Sequence, residues 1–307
     1  MRSRFEKAQM GDTSAAAHAR AEVMSLSLAA ATCSPGTAAP SDNSTIEDWC
    51  GAQRGKIEFE DSIDAIKRHE FAADFRGDLA RLEDWAASWQ WTAPPIPKLR
   101  VLVSSRFKIS RSLVPAWSDQ RGYMEFPAWR VVAGKAAITH ELVHVYFPNG
   151  NRLLAEGLAV YLQAQIGGNP AFPNFSRSLH DLVGKLLQDI VPELSQGGLA
   201  SLAPYLADLD AIETPSPLTL RMANDYFGEE PRGQAHLYSI AGSFVQFLIE
   251  LRGLEAFRTL YEQTPLITLQ QYCGSPTRWV AVYGLSLGEL ARDWELFIAR
   301  HKRLKED

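Results

Sequence analysis

The sequence predicts an α+β protein in which a small mixed sheet, with an edge strand over a central helix, is followed by a mainly α-helical carboxy-terminal part. Three observations predict it. Leu99, Val101 and Val103 alternate with Arg100, Leu102 and Ser104, the period of a strand with one buried face. Tyr123, Glu125 and the run AWRVV at 128–132 read as one or two further strands punctuated by Gly122 and Pro127. After Gly134 the apolar spacing switches to three and four, which is helical.

Taken in order, residues 1–54 read as a leader. Its apolar stretch AEVMSLSLAAATC (21–33) fits either an export signal ending at Cys33 or an Ala/Ser-rich disordered segment. The first implies a periplasmic, secreted or lipid-anchored protein, the second a cytoplasmic one. Residues 55–98 form an amino-terminal helical segment, because Phe71, Phe75, Leu79, Leu82, Trp85 and Trp89 recur at helical spacing between charged residues. The prolines of TAPPIPK (92–98) stop it by removing backbone donors, and residues 99–307 then form a second unit. Within that unit, helices are expected at 135–147 and 152–166, separated by the turn PNGN (148–151), with Asn151 as the cap of the second. Others are expected at 177–193, 235–251, 254–262 and 287–304.

Composition excludes several classes. Hydrophobic residues make up 46% and charged residues 22% of 307, enough apolar material for a sizeable core. The formal charge of −5 gives no electrostatic reason to bind nucleic acid. Beyond the leader, no apolar run reaches the ~18 residues of a membrane-spanning helix, so no integral membrane segment is expected. Cys33, Cys50 and Cys273 are too few and too dispersed for a thiolate metal knuckle, and a Cys50–Cys273 bridge and free thiols explain them equally well.

The segment ITHELVHVYF (138–147) holds His140-Glu141-Leu142-Val143-His144 inside a predicted helix. Histidines four residues apart project about 40° apart around the axis, so both imidazoles can converge on one ion. Glu141 lies about 100° further round, where its carboxylate reaches a water on the metal without being a ligand. A hydrolytic metal site takes three protein ligands and keeps one position open. LLAEGLA (153–159) offers Glu156 as the third, in an apolar setting where a carboxylate needs a strong partner. Eleven residues, 145 to 155, are enough to end one helix, turn and run a second beside it. A third ligand in the metzincin manner is excluded, because Phe147 and Gly150 occupy the positions where glycine and histidine would stand. Two imidazoles and one carboxylate suit zinc, one ion per chain. A structural zinc site is disfavoured, since such sites are usually closed by four ligands and no cysteine lies near 140–156.

HELVH followed by LLAEGLAVYL resembles the gluzincin zinc metallopeptidases, in particular the peptidase-MA-like group that includes aminopeptidase-N-like enzymes. HLYSIAGSFVQFLIELRG (236–253) and YGLSLGELARDWELFI (283–298) are similar to later helices of that group, so the resemblance covers about residues 99–304. It implies a zincin-like fold, with His140, His144 and Glu156 as zinc ligands, Glu141 as general base and a peptide or protein as substrate. It also implies that Tyr238 stabilises the oxyanion, with His236 or His180 as rivals for that role. GYME (122–125) is similar to the amino-terminus-recognition motif of those exopeptidases and would give Glu125 that task, although Phe126 follows where asparagine is usual. Gln163, on the face of Glu156, is placed to orient an imidazole, and the strand within 121–132 to pair with an extended substrate. The alternative is a catalytically silent zincin-fold scaffold that binds peptides; an acid at position 141 argues against it.

Overall fold

Alternation of apolar and polar side chains builds a mixed sheet, and one long amphipathic helix covers one of its faces. A computed structural model describes residues 45–49, 52–92, 98–112, 122–195, 201–211, 217–225, 232–264 and 274–306, all within the unit Pro40–Asp307. The strands are β1 (Thr45–Trp49), β2 (Ala52–Phe59), β3 (Leu99–Ser104), β4 (Arg111–Ser112) and β5 (Tyr123–Pro127), side by side in the order β1-β2-β3-β5-β4. The outer pairs β1–β2 and β4–β5 are antiparallel, whereas β2–β3 and β3–β5 are parallel. Helix α1 (Ala65–Ser88) makes the crossover between β2 and β3. Ile57 and Phe59 of β2, Val101 and Val103 of β3, and Met124 and Phe126 of β5 are buried. The rings of Phe71 and Phe75 on α1 meet Phe59 and Phe126 on this face at centroid distances of 5.3–6.5 Å.

The sheet begins earlier than the sequence reading allows. β1 and β2 occupy residues assigned to the leader and to the helical segment, because Ile57 and Phe59 alternate with Lys56 and Glu58 over too short a run to stand out. The run AWRVV is not a strand but the short helix α2 (Ala128–Val132), entered from Pro127 at φ −63°. A five-residue apolar run does not distinguish the two states, and here a proline ends the strand. Nor is β5 the edge: β3 and β4 flank it, and the edge strand over the helix Ile138–Tyr146 is β4. Trp89 is exposed as the C-cap of α1, and Trp91 packs instead against Phe147 and Tyr261.

The helical layer comprises α3 (Ile138–Tyr146), α4 (Arg152–Ile166), α5 (Leu179–Ser195), α6 (Ala203–Asp210), α7 (Pro217–Ala223), α8 (Arg232–Glu262), α9 (Thr277–Tyr283) and α10 (Leu287–Glu306). Gly253 breaks α8 at φ 82°, between the two segments that the sequence separates there. Asn151 caps α4 as expected, its Oδ1 accepting the Leu154 N–H at 3.0 Å. The turn before it is held from α8: Asn149 Nδ2 donates to the Tyr261 carbonyl at 2.9 Å and the Tyr261 hydroxyl to the Phe147 carbonyl at 2.5 Å. The architecture is mixed α+β and mainly helical, and among the described residues no helix is long and apolar enough to cross a membrane. Cys33, Cys50 and Cys273 lie outside the described residues, as does almost all of the leader.

Candidate metal centre

Helix α3 lacks a capping side chain of its own at Ala137. Asp78, fully buried on α1, supplies the cap from another element: its Oδ2 accepts the Thr139 N–H at 3.1 Å and the Thr139 hydroxyl at 2.7 Å. Its Oδ1 accepts the Gly168 N–H just beyond α4 at 3.0 Å, and Arg81 pairs with the same oxygen. One carboxylate therefore fixes the start of α3 and the end of α4 together. The N–H of His140, the third residue of the helix, donates to Gln163 Oε1 at 3.1 Å. Gln163 thus holds the backbone of the first histidine rather than an imidazole ring.

α4 is pressed onto α8 by two glycines. A Cβ on Gly157 would lie 2.4 Å from Val245 Cγ2 and 2.8 Å from the Ala241 carbonyl oxygen; one on Gly242 would lie 2.3 Å from Val160 Cγ1. No side chain fits at either place, which is the physical reason for glycine directly after Glu156. The close approach seats Glu156 opposite the two histidines and Tyr238 beside them.

Within this frame His140 Nε2 and His144 Nε2 are 3.1 Å apart, and Glu156 Oε2 is 3.2 Å from the first and 3.4 Å from the second. Metal–ligand bonds of about 2.0 Å in a tetrahedron require ligand atoms roughly 3.3 Å apart. The three atoms form a triangle of that size. Among the described residues this is the group of His, Cys, Asp and Glu side chains able to hold a metal ion. Glu156 Oε2 is buried and has no hydrogen-bond donor, the condition in which a carboxylate oxygen calls for a cation. Burial pushes the Glu156 carboxyl up, but the charge of His144, and after it the two imidazole nitrogens 3.2 and 3.4 Å away, outweigh it and hold it well below the usual range. Burial opposes protonation of His144, yet the Glu156 charge wins and raises it. A bound cation would displace that proton.

These residues line a cavity of about 370 Å³ together with β4, α2, the turn before α4, and Tyr238 of α8. Glu141 faces it 4% exposed, with the Ser112 hydroxyl 2.7 Å from its Oε2 and 3.0 Å from its backbone oxygen. Burial raises the Glu141 carboxyl, against the lowering influence of His140, His144 and Ser112. The Tyr238 ring stacks on His140 at 5.8 Å and 19° and meets Phe172 edge-on at 5.6 Å. Burial, and after it the Glu156 charge, pushes the Tyr238 phenol far above its ordinary range, so it keeps its proton and remains a donor.

His140, Glu141, His144, Glu156 and Tyr238 are thus brought together as the sequence reading requires. Other candidates fall elsewhere. Glu125 is not in the cavity wall; alternation along β5 puts it on the face opposite Met124 and Phe126, where it forms an ion pair with Arg111 and accepts the Tyr123 hydroxyl at 3.0 Å. His180 is buried between α5, α8 and α10, its Nδ1 2.8 Å from Ser243 Oγ and its Nε2 3.4 Å from Glu250. His236 is not in the cavity wall. Sequence reasoning misses Ser112, Arg130, Arg152 and Asp78. Asp78 alone left a signal, an acid three residues after Phe75 and four before Leu82 on the buried stripe of α1. Comparison of the chain with protein-family models, curated proteins and solved structures returns no match.

Proposed function

We propose that the chain is a zinc-dependent metallopeptidase of the gluzincin kind, with a zincin-like arrangement and one zinc ion held by His140, His144 and Glu156. The observation that carries this reading is the triangle of ligand atoms with sides of 3.1, 3.2 and 3.4 Å in the wall of a cavity that Glu141 and Tyr238 share. When bound, the ion supplies Lewis acidity that makes water nucleophilic near neutral pH. Ser112 occupies Oε2 of Glu141 and leaves Oε1 to take the proton from the attacking water. The same carboxyl then returns that proton to the departing amine, a transfer favoured by its raised proton affinity. Tyr238 donates its hydroxyl to the negative charge that develops on the substrate carbonyl oxygen. The substrate lies extended along β4, which takes the edge position expected of residues 121–132.

Glu141→Gln separates metal binding from chemistry. The variant is expected to retain about one zinc per chain by elemental analysis and to lose roughly 10²–10⁴-fold in cleavage of an unfolded protein or fluorogenic peptide. A chelator should stop the wild type, and zinc should restore it. A fully active variant would overturn the assignment of the base. A zinc-loaded wild type that cuts no peptide favours a peptide-binding scaffold.

A further inference from the structure

The cavity wall carries guanidinium groups that hydrolysis alone does not call for. Its carboxylates, Glu141 and Glu156, are both engaged in the roles above, whereas guanidinium groups reach it from three separate elements: Arg111 on β4, Arg130 on α2 and Arg152 in the first turn of α4. Arg111 is matched by Glu125. Arg130 is 3% exposed, with its guanidinium 4.8 Å from the ring centroids of both Trp129 and Phe172. Arginine keeps its charge in such a place. Arg152 is exposed and stands 5.9 Å from the centroid of the Tyr238 ring. Glu156, one turn further along the same helix, is turned to the imidazoles, and Arg152 bonds to the neutral Tyr238 phenol while having no ion pair among the described residues.

Building on the peptidase reading, we propose that the cleft selects peptides carrying a carboxylate close to the scissile bond, and that Arg152 is the residue that reads it. A guanidinium presents a planar fork of donors matching the two oxygens of a carboxylate, and beside an apolar ring it is partly shielded from water. Arg152 lies one ring away from His140, through Tyr238, at steps of 5.9 and 5.8 Å. An extended peptide advances about 3.3 Å per residue, so the carboxylate it holds lies within about three residues of the reacting bond. An acidic side chain and a free α-carboxylate present the same chemistry.

The test uses four fluorescent hexapeptides, with Glu or Gln beside the central bond and a free or amidated carboxyl terminus. Each is titrated by anisotropy into full-length Glu141→Gln protein, with zinc and without it, and each is offered to the zinc-loaded wild type for cleavage. Carboxylate forms are expected to bind at least tenfold more tightly than their amide counterparts in both metal states. Arg152→Gln should remove most of that preference at an unchanged melting temperature, and Arg152→Lys should keep part of it. Whichever carboxylate carries the preference identifies the source. Equal binding of acids and amides, a preference that survives Arg152→Gln, or one that appears only with zinc present overturns the inference. Cleavage of none of the four peptides with the preference intact counts against the peptidase reading and leaves the anion site standing. Cleavage without preference does the reverse.

Discussion

Glu60 and Glu141 are carboxylates that the fold drives in opposite directions. Burial pushes both up, but Glu60 sits at the corner between β2 and α1, where it accepts the Ser105 N–H at 2.6 Å and the hydroxyls of Ser62, Ser104 and Ser105 at 2.7–3.0 Å. Those donors prevail and hold it at about 2, against an ordinary value of 4.5. A carboxyl whose folded value is depressed contributes stability above its unfolded value and loses it as pH falls toward the folded one. The melting-temperature difference between the wild type and Glu60→Gln is therefore expected to be largest above pH 4.5 and to shrink as pH is lowered toward 2. A difference that stays constant over that range would show that the serine cage does not act through the charge. Glu141 has one hydroxyl donor in place of four such bonds, and burial prevails. At this scale the site was legible where chemistry spaces residues along one chain segment: His140, Glu141 and His144 within one helix, Glu156 on the next. Ser112 was not legible, since it meets Glu141 from 29 positions away and from a strand of two residues.

Among the elements, the pairing of α4 with α8 decides how accurately Glu156 is delivered. Gly157→Ala illustrates the competition: inside a helix alanine is favoured over glycine by about 0.5–1 kcal/mol. Here the added methyl would lie 2.4 Å from a valine methyl and 2.8 Å from a backbone oxygen. Such overpacking costs typically 1–3 kcal/mol, so the contacts are expected to win. Thermal denaturation should show a melting temperature lower by several degrees, and competitive titration a weaker zinc affinity as Glu156 is pushed aside. An alanine variant as stable as the wild type would show that the helices separate without cost. The long helices were readable because their apolar spacing persists over many turns, and the break at Gly253 because glycine interrupts it. AWRVV and the β1–β2 hairpin were not, being too short for periodicity to choose between states or to rise above a leader.

For the molecule as a whole, the boundary suggested by the prolines at 92–98 does not separate two independent parts. α1 precedes it, yet covers the sheet formed partly after it and reaches through Asp78 to both α3 and the end of α4. A shortened chain beginning at residue 99 is expected to lack zinc binding and a cooperative melt, as read by elemental analysis and calorimetry. Stoichiometric zinc in that fragment would make α1 dispensable. Proline spacing reports where a helix stops; it carries no information on which distant backbone that helix will satisfy.

The carboxylate of Asp78 works as a keystone shared by two arches. It joins α1, which presents it, to the helix pair that leans on it, so at the proposed zinc site metal affinity and the packing of α1 are expected to be coupled. If zinc binds as proposed, its removal should loosen α1, and damage to α1 should weaken its binding.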